Sequence, residues 1–141
     1  MSYATQQNLI DRCSEKELQQ LTDRAIPPAG TIDDAIVAEA LADADAEINA
    51  YIAVRVTTPV SPVPRILVTH AVSIARYRLW KDRASAKVTS DYQDAIAWAQ
   101  AVAAGKAALG DTTTPTAPPS VGAPRVSAPD RTFTGDKLRG Y

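Results

Sequence analysis

Residues 31–52 read TIDDAIVAEALADADAEINAYI and decide the fold class of this 141-residue chain. Apolar residues recur there at steps of three and four, which is the period of one face of an α-helix. These residues are Val37, Leu41, Ala44, Ile48, and Tyr51 or Ile52. Thr31 is a suitable N-cap, and Asp33 and Asp34 follow in the first turn, where acidic side chains favour the helix dipole. The stretch predicts a long amphipathic helix that ends near Arg55.

Two short helices are predicted before this stretch. Thr5 is placed to cap the first, which runs to about Cys13. Ser14 and Glu17 form a capping box for the second, in which the Ser14 hydroxyl accepts from the Glu17 amide while the Glu17 side chain reaches back. A loop with two prolines follows over residues 23–30.

Two further helices are predicted after it. The first begins at Ser61 or Pro62 and runs to about Arg83. The last opens near Ser85 and stops at Gly110, because glycine suits the end of a helix. No convincing alternation of apolar and polar residues marks a strand before the tail. The sequence therefore predicts an all-α fold, a small bundle of four to five helices with an extended proline-rich C-terminal arm.

The composition divides the chain into three segments. Residues 1–110 have the size of a single-core helical domain. Residues 111–130 hold five prolines and no aromatic residue, which is typical of a semi-extended tether. Residues 131–141, RTFTGDKLRGY, place apolar anchors among basic residues and predict a peptide that docks on a partner. Its candidate contact residues are Arg131, Phe133, Asp136, Leu138, Arg139 and Tyr141. The alternatives are a tail that folds back on its own domain or one without fixed structure.

Composition also argues against several functional classes. A net charge of −1 gives the chain no strong attraction for nucleic acid or for an anionic membrane. No signal peptide and no membrane-length apolar stretch is visible. Cys13 and His70 are the single cysteine and histidine, too few for a structural zinc site. His70 is in register with an apolar stripe, so we expect a packed, hydrogen-bonded residue. We therefore expect no catalytic residue, metal or cofactor, and no enzyme.

Two consecutive predicted helices carry opposite charge. Residues 33–54 hold six acidic side chains and no basic one, whereas residues 64–87 hold six basic side chains and one acidic one. These helices either pair within one subunit or face complementary surfaces on neighbours, as in a head-to-tail ring. The candidate inter-subunit or lumen-lining residues are Asp43, Asp45, Glu47, Arg76, Arg78, Lys81 and Arg83.

The segment Arg76-Tyr-Arg-Leu-Trp-Lys-Asp-Arg83 interleaves basic and aromatic residues. Such a pattern can contact nucleic acid through phosphates and base stacking. Alternatively, the aromatic residues pack inward while the bases complement the C-terminal end of a helix. We favour the second interpretation and keep a nucleic-acid-binding accessory protein as the alternative function.

Several groups of residues match one phage family in combination. At the N-terminus they are Tyr3-Ala-Thr-x-x-x-Leu-Ile-Asp-Arg12, Glu17-Leu18 and Leu21-Thr-Asp23. In the middle they are Asp43-Ala-x-Ala-Glu-Ile-x-Ala-Tyr51, Pro62-x-Pro-x-x-Leu67 and Ile74-Ala-Arg-Tyr-x-Leu79. Towards the end they are Tyr92-x-Asp-Ala95, Gly105-x-x-x-Leu-Gly110 and Arg131-x-Phe-x-x-Asp-x-Leu-x-Gly-Tyr141. Together they resemble the Mu-like head–tail connector (neck adaptor) proteins of phages and prophages, although residues 25–30 depart from the acidic or glycine-bearing loop common there.

This resemblance implies a structural role without catalysis. Such adaptors form a ring, expected to be a dodecamer, beneath the portal protein at the capsid vertex. The ring extends the channel through which genomic DNA passes without specific contacts, and it carries the next neck, stopper or tail protein. The resemblance also implies a place in the neck of the virion after assembly in the host cytoplasm, away from any membrane. The C-terminal arm is expected to dock on the portal or on a neighbouring subunit.

Overall fold

The computed structural model describes residues 2–109, with the exception of the Asp82 side chain. Its elements are α1 (Gln6–Cys13), α2 (Glu15–Thr22), α3 (Asp34–Ile52), α4 (Arg65–Trp80), a 3-10 turn (Lys81–Arg83) and α5 (Ala86–Ala103). These residues include no strand, which confirms the predicted all-α class and the number of helices. The predicted tether (111–130) and docking tail (131–141) lie outside the described residues.

Helix α4 lies at the centre of the domain, where it contacts α1, α2, α3 and α5. Its middle is buried on nearly every side, through an unbroken run of five buried residues, 71–75. Alanine and serine in this run let neighbouring helices approach closely, and Leu67 and Ile74 fill the space between them. A helix that is apolar all round is expected only where other elements surround it.

Tyr3 ties the N-terminal segment to the centre of the fold. Its backbone N–H donates to Asp45 Oδ1 at 3.1 Å, and its hydroxyl donates to Asn49 Oδ1. The same hydroxyl accepts from the Val60 N–H at 3.1 Å. One buried tyrosine therefore joins the first residues of the chain to α3 and to the loop between α3 and α4.

The N-terminus of α3 differs from the prediction, because Asp33 and not Thr31 caps the helix. The Asp33 carboxylate accepts from the N–H groups of Ala35 (2.9 Å) and Ile36 (3.3 Å). Its own N–H donates to the hydroxyl of Thr22 at 3.2 Å, which fixes the start of α3 against the end of α2. Because Asp33 is held by hydrogen bonds to both helices, the cap lies two residues after the predicted one.

The start of α4 was also predicted too early. The helix begins at Arg65, not at Ser61 or Pro62. Pro64 is extended and serves as N-cap, with φ −67° and ψ 146°. A proline disfavours the helical conformation in the residue before it. Pro62 therefore keeps Ser61 out of the helix, and Pro64 keeps Val63 out of it.

Helix α5 ends at Ala103 and not at the predicted Gly110, which lies outside the described residues. Gly105 follows the last turn with φ +73°, the left-handed conformation that glycine adopts most readily. The Lys106 N–H donates to the Ala101 carbonyl at 2.8 Å, which completes a Schellman motif. A nearer glycine in the correct conformation therefore ends the helix.

We expect Leu67→Ala to lower the free energy of unfolding by about 2–5 kcal/mol, because it leaves a cavity in the centre of the core. Leu67 is fully buried, whereas the adjacent Ile66 is 41% exposed. Ile66→Ala is the matched control and should cost less than about 1 kcal/mol. Urea unfolding of both variants measures the difference, and equal losses would contradict the placement of Leu67 in the core.

Candidate functional site

The Glu17 side chain makes the longest-range ionic contact of the N-terminal helices. Ser14 Oγ accepts from the Glu17 N–H at 3.4 Å, so half of the predicted capping box is present. The other half is wrong, because the Glu17 carboxylate turns away from Ser14. It accepts from Arg76 Nε (2.9 Å) and Nη2 (2.7 Å) and from Trp80 Nε1 (3.1 Å). A half-buried carboxylate thus engages two members of the basic and aromatic segment.

Glu47 organises a second cluster on the adjoining side of α4. Arg78 Nη2 donates to Glu47 Oε2 at 2.7 Å, and the Tyr92 hydroxyl donates to Glu47 Oε1 at 2.7 Å. The ring of Tyr92 stacks on Tyr77, with centroids 4.2 Å apart. Burial, together with the hydrogen bond and charge of Glu47, raises the pKa of Tyr92 to about 12. The opposite charges of α3 and α4 are therefore paired within one subunit at this point.

These contacts divide the predicted inter-subunit or lumen-lining residues into two groups. Those with a partner inside the chain are Asp45, Glu47, Arg76 and Arg78. Those with exposed side chains and no ion pair to a described residue are Asp43, Lys81 and Arg83. The aromatic residues of the segment 76–83 also have internal partners, so the segment offers few groups for base stacking.

An open cleft of about 440 Å³ lies where the first half of α3 meets the end of α4. Its apolar floor consists of Ile36, Ala40, Tyr77 and Leu79. Its charged rim consists of Glu39 and Asp43 from α3, Arg24 from the loop before α3, and Arg78 and Lys81 from the end of α4 and the turn after it. We call this depression the α3–α4 cleft. An apolar centre with a polar, charged rim is the usual anatomy of a protein interaction surface.

The two acids of the rim are one helical turn apart on α3. Glu39 and Asp43 are both exposed, and neither forms an ion pair with a described residue. Since residues four apart share a helix face, the two carboxylates point to the same side. Of the rim cations, Arg78 is already paired with Glu47. The cleft therefore offers two accessible carboxylates together with the accessible cations of Arg24 and Lys81.

The loop that carries Arg24 is held by the neighbouring aspartate. The Asp23 carboxylate accepts from the N–H groups of Gly30 (2.7 Å), Ala29 (3.2 Å) and Ala25 (3.3 Å). The bonds from Gly30 and Ala29 are the main reason that the pKa of Asp23 is lowered. This closed loop fixes the edge of the α3–α4 cleft where Arg24 lies. Nothing in the sequence around Asp23 except the loop-forming prolines and glycine indicated such an anchor.

A second depression, of about 430 Å³, lies between α1 and α4. Valines 63, 68 and 72 form its apolar part. Its charged residues are Asp11, Arg12 and Arg65, so cations outnumber acids. We call it the α1–α4 groove.

His70 only partly matches the prediction of a packed, hydrogen-bonded residue. Its ring is half-buried and stacks on Trp98, with centroids 4.5 Å apart. Its Nε2 atom is buried and has no hydrogen-bond partner among residues 2–109. Burial lowers the pKa of His70, as does the charge of Arg12, while Asp94 opposes the shift. The imidazole is therefore held in its neutral form.

The described residues contain no grouping of histidine, cysteine and carboxylate side chains that would hold a metal ion. Burial raises the pKa of the Cys13 thiol, which disfavours the reactive thiolate. None of the described helices has the length and apolar character needed to cross a membrane. The features that stand out in this part of the chain are thus its surface depressions.

We expect Glu17→Gln to lower the free energy of unfolding by about 1–3 kcal/mol, because it leaves the partly buried Arg76 guanidinium without a counter-charge. Glu15→Gln is the matched control, since Glu15 is exposed on the same helix. It should change stability by less than about 0.5 kcal/mol. Chemical unfolding of both variants tests this, and equal effects would show that the Glu17 contacts add nothing.

We expect His70 to make the fold less stable in mild acid. Its folded pKa lies below the unfolded value near 6.5, so the unfolded chain binds the proton first and stability falls as the pH drops below that value. His70→Phe keeps a ring against Trp98 and removes the buried, unpartnered nitrogen. The variant should match the parent near pH 7.5 and lose less melting temperature by about pH 5.5. An identical decline in both proteins would contradict this assignment.

Comparison with known proteins identifies the family. The family described as "Bacteriophage Mu, Gp36" matches residues 3–128. The Mu-like prophage FluMu protein gp36 of Haemophilus influenzae is 40% identical over 108 residues, 77% of this chain and 75% of that protein. Gene product J of Escherichia phage Mu is 35% identical over 106 residues, 75% of this chain and 74% of that protein. The chain therefore belongs to the phage Mu Gp36 family and is a Mu-like phage protein.

Proposed function

We propose that this protein is the head–tail adaptor of a Mu-like tailed phage. It forms a ring, a dodecamer by the symmetry expected of the portal, beneath the portal protein. The ring extends the DNA channel and carries the next neck, stopper or tail protein. The C-terminal arm docks on the portal or on a neighbouring subunit, and the protein acts without catalysis or cofactor. Its place is the virion neck, reached by assembly in the host cytoplasm.

The observation that carries this proposal is the family match over residues 3–128, which includes every described helix. It supports the phage assignment that the segments at Tyr3–Arg12, Asp43–Tyr51 and Ile74–Leu79 suggested through their resemblance to neck adaptors. In the described domain these segments build the anchored N-terminus, the middle of α3 and the end of α4. They therefore contribute to the shape of the domain more than to any convergent reactive site.

The surface chemistry supports an assembly role. Two ion pairs hold the domain together, Arg76 with Glu17 and Arg78 with Glu47. Other exposed charges, among them Glu39 and Lys81 in the α3–α4 cleft and Arg12 in the α1–α4 groove, line the two depressions. Two different depressions on one small domain suit head-to-tail contacts, which join unlike surfaces of adjacent copies and close a ring by rotation.

The same contacts refine the proposal for the channel lining. Glu47 is paired with Arg78 and is only 16% exposed, so its charge is largely compensated. Asp43 is exposed and is the acidic candidate that stays available, either for a negative lumen surface or for a contact with a neighbouring subunit. A negative lining lets DNA pass without adhesion, since like charges repel.

The alternative, a nucleic-acid-binding accessory protein, uses the segment 76–83. Arg76 and Trp80 bind Glu17, and Arg78 binds Glu47, which leaves Lys81 and Arg83 as the exposed cations that form no ion pair with a described residue. Two phosphate contacts would give weak binding with a shallow dependence on salt. We therefore favour the adaptor proposal.

Purified protein mixed with portal rings should add a ring of density to the tail-side face of the portal, as seen by electron microscopy. A chain that ends at Asp130 should add less or none, because it lacks the anchors Phe133, Leu138 and Tyr141. A full-length variant with these three residues changed to alanine is the matched control, and it should behave like the truncated chain. No added density with the full-length protein on intact portals would overturn the adaptor proposal. Salt-dependent binding to duplex DNA would then support the alternative.

A further inference from the structure

We propose that the α3–α4 cleft of one subunit is the docking site for residues 131–141 of a neighbouring subunit. The proposal rests on the proposed function, because it requires copies of the chain to stand side by side in a ring. The C-terminal arm was expected above to dock on the portal or on a neighbouring subunit. The present proposal names the surface, which is the α3–α4 cleft, and the segment that occupies it.

The cleft has the features that a short amphipathic peptide needs. Its floor is apolar and open, with Ile36 and Leu79 among its lining residues. One edge carries the accessible carboxylates of Glu39 and Asp43. The rim also carries Arg24 and Lys81, which are exposed as well. An occupant must therefore present an apolar anchor between charges of both signs.

Residues 131–141 have this order of groups. Phe133 is an aromatic anchor with Arg131 two residues before it and Asp136 three residues after it. Leu138 is a second anchor, followed directly by Arg139. With Phe133 or Leu138 on the floor, the arginines suit the Glu39–Asp43 edge and Asp136 suits the Arg24–Lys81 edge. Pairing of this kind sets orientation and excludes wrong registers more than it adds affinity.

The length of the chain between domain and tail favours a neighbour as the recipient. Arg55 Nε donates to the Ala103 carbonyl at 3.2 Å, so α5 ends beside the end of α3. Asp43 lies twelve residues before Arg55, which places the subunit's own cleft only about 18 Å away along α3. Residues 110–130 can span about 65 Å if they are extended as the prolines favour. A domain of this size has a radius of gyration of about 13 Å, so a tether with this reach can extend from one domain to the cleft of a copy packed beside it.

That reach favours the neighbour, because effective concentration is highest when the tether length matches the distance to be bridged. A tether that is extended as its prolines favour is longer than the path to its own cleft and long enough to reach an adjacent copy. The contact would then be repeated around a ring, so that modest single affinities add up to a stable joint.

The α1–α4 groove is a poorer site for the same peptide. Residues 131–141 carry three basic side chains and one acidic one. The groove has a single carboxylate, Asp11, for these basic side chains, and Arg12 and Arg65 beside it would repel them. The cleft has two carboxylates, Glu39 and Asp43. The groove therefore provides a matched negative control of similar volume on the same domain.

Cross-linking on the full chain tests the proposal. In a Cys13→Ser background, one variant carries Ala42→Cys beside the cleft and another carries Thr134→Cys in the tail. The two are mixed, with and without portal rings, and treated with a short bismaleimide. We expect covalent dimers from the mixture and a ladder of higher oligomers from the double variant. Val63→Cys in the α1–α4 groove replaces Ala42→Cys as the control and should yield few dimers with Thr134→Cys.

Each other result overturns the proposal. A link within a single chain in the double variant would show that the tail folds onto its own cleft. Equal yields at positions 42 and 63 would show unspecific collisions. No link to position 42, in samples whose portals carry added rings by electron microscopy, would refute the cleft and leave the adaptor role standing. Portals without added rings would refute the adaptor role. The yield of cross-links between positions 42 and 134 in samples without portals would then test docking in the cleft separately.

A charge-reversal pair adds a second readout. Glu39→Lys with Asp43→Lys should lower the yield of dimers about tenfold, since two exposed ion pairs are lost and replaced by repulsion. Glu15→Lys with Asp94→Lys changes the net charge equally at exposed positions outside both depressions and should leave the yield unchanged. Arg131→Glu with Arg139→Glu on the tail partner should restore the yield with the reversed cleft. Failure of this restoration would contradict the proposed pairing.

Discussion

The burial of α4 by all four other helices is the constraint on which the rest of the structure depends. A helix surrounded in this way has few directions in which a charged side chain can reach water. The basic residues near its end therefore meet the helices packed beside them, and carboxylates from α2 and α3 neutralise them. Arg76 is held by Glu17, and Arg78 by Glu47. The pairs join α2 to α4 and α3 to α4, so they orient the bundle as well as compensate charge.

This internal pairing separates the residues that hold the domain together from those left for other molecules. Some of the accessible charges lie around two depressions with apolar floors, and the α3–α4 cleft has both signs on its rim. A surface of that kind suits contacts that are individually modest and repeated, as in a symmetric ring, where specificity comes from complementarity and stability from repetition. The family relationship and the proposed adaptor role are consistent with such a surface on a domain whose interior contains little beyond packing and paired charge.

The helices could be read from the sequence because their signals are local. Thr5 caps α1 as predicted, and the period of three and four residues in 31–52 marks the buried face of α3. The ends were less predictable where two local signals compete. Asp33 displaced Thr31 as cap because Thr22, from the preceding helix, binds its N–H. Pro62 and Pro64 keep the residues before them out of the helix, so α4 begins only at Arg65. Gly105 ends α5 before Gly110 is reached.

By itself the sequence determined the all-α class, the presence of four to five helices and the opposite charges of α3 and α4, since these follow from composition and periodicity within a few turns. Tertiary structure alone decided which charges are used internally. Glu17 and Arg76 are 59 residues apart, and Tyr92 reaches Glu47 across 45. No local pattern distinguishes Glu47, which is paired, from Asp43, which is exposed one turn away on the same helix. The direction of each side chain relative to α4 makes that distinction, and it exists only once the bundle has packed.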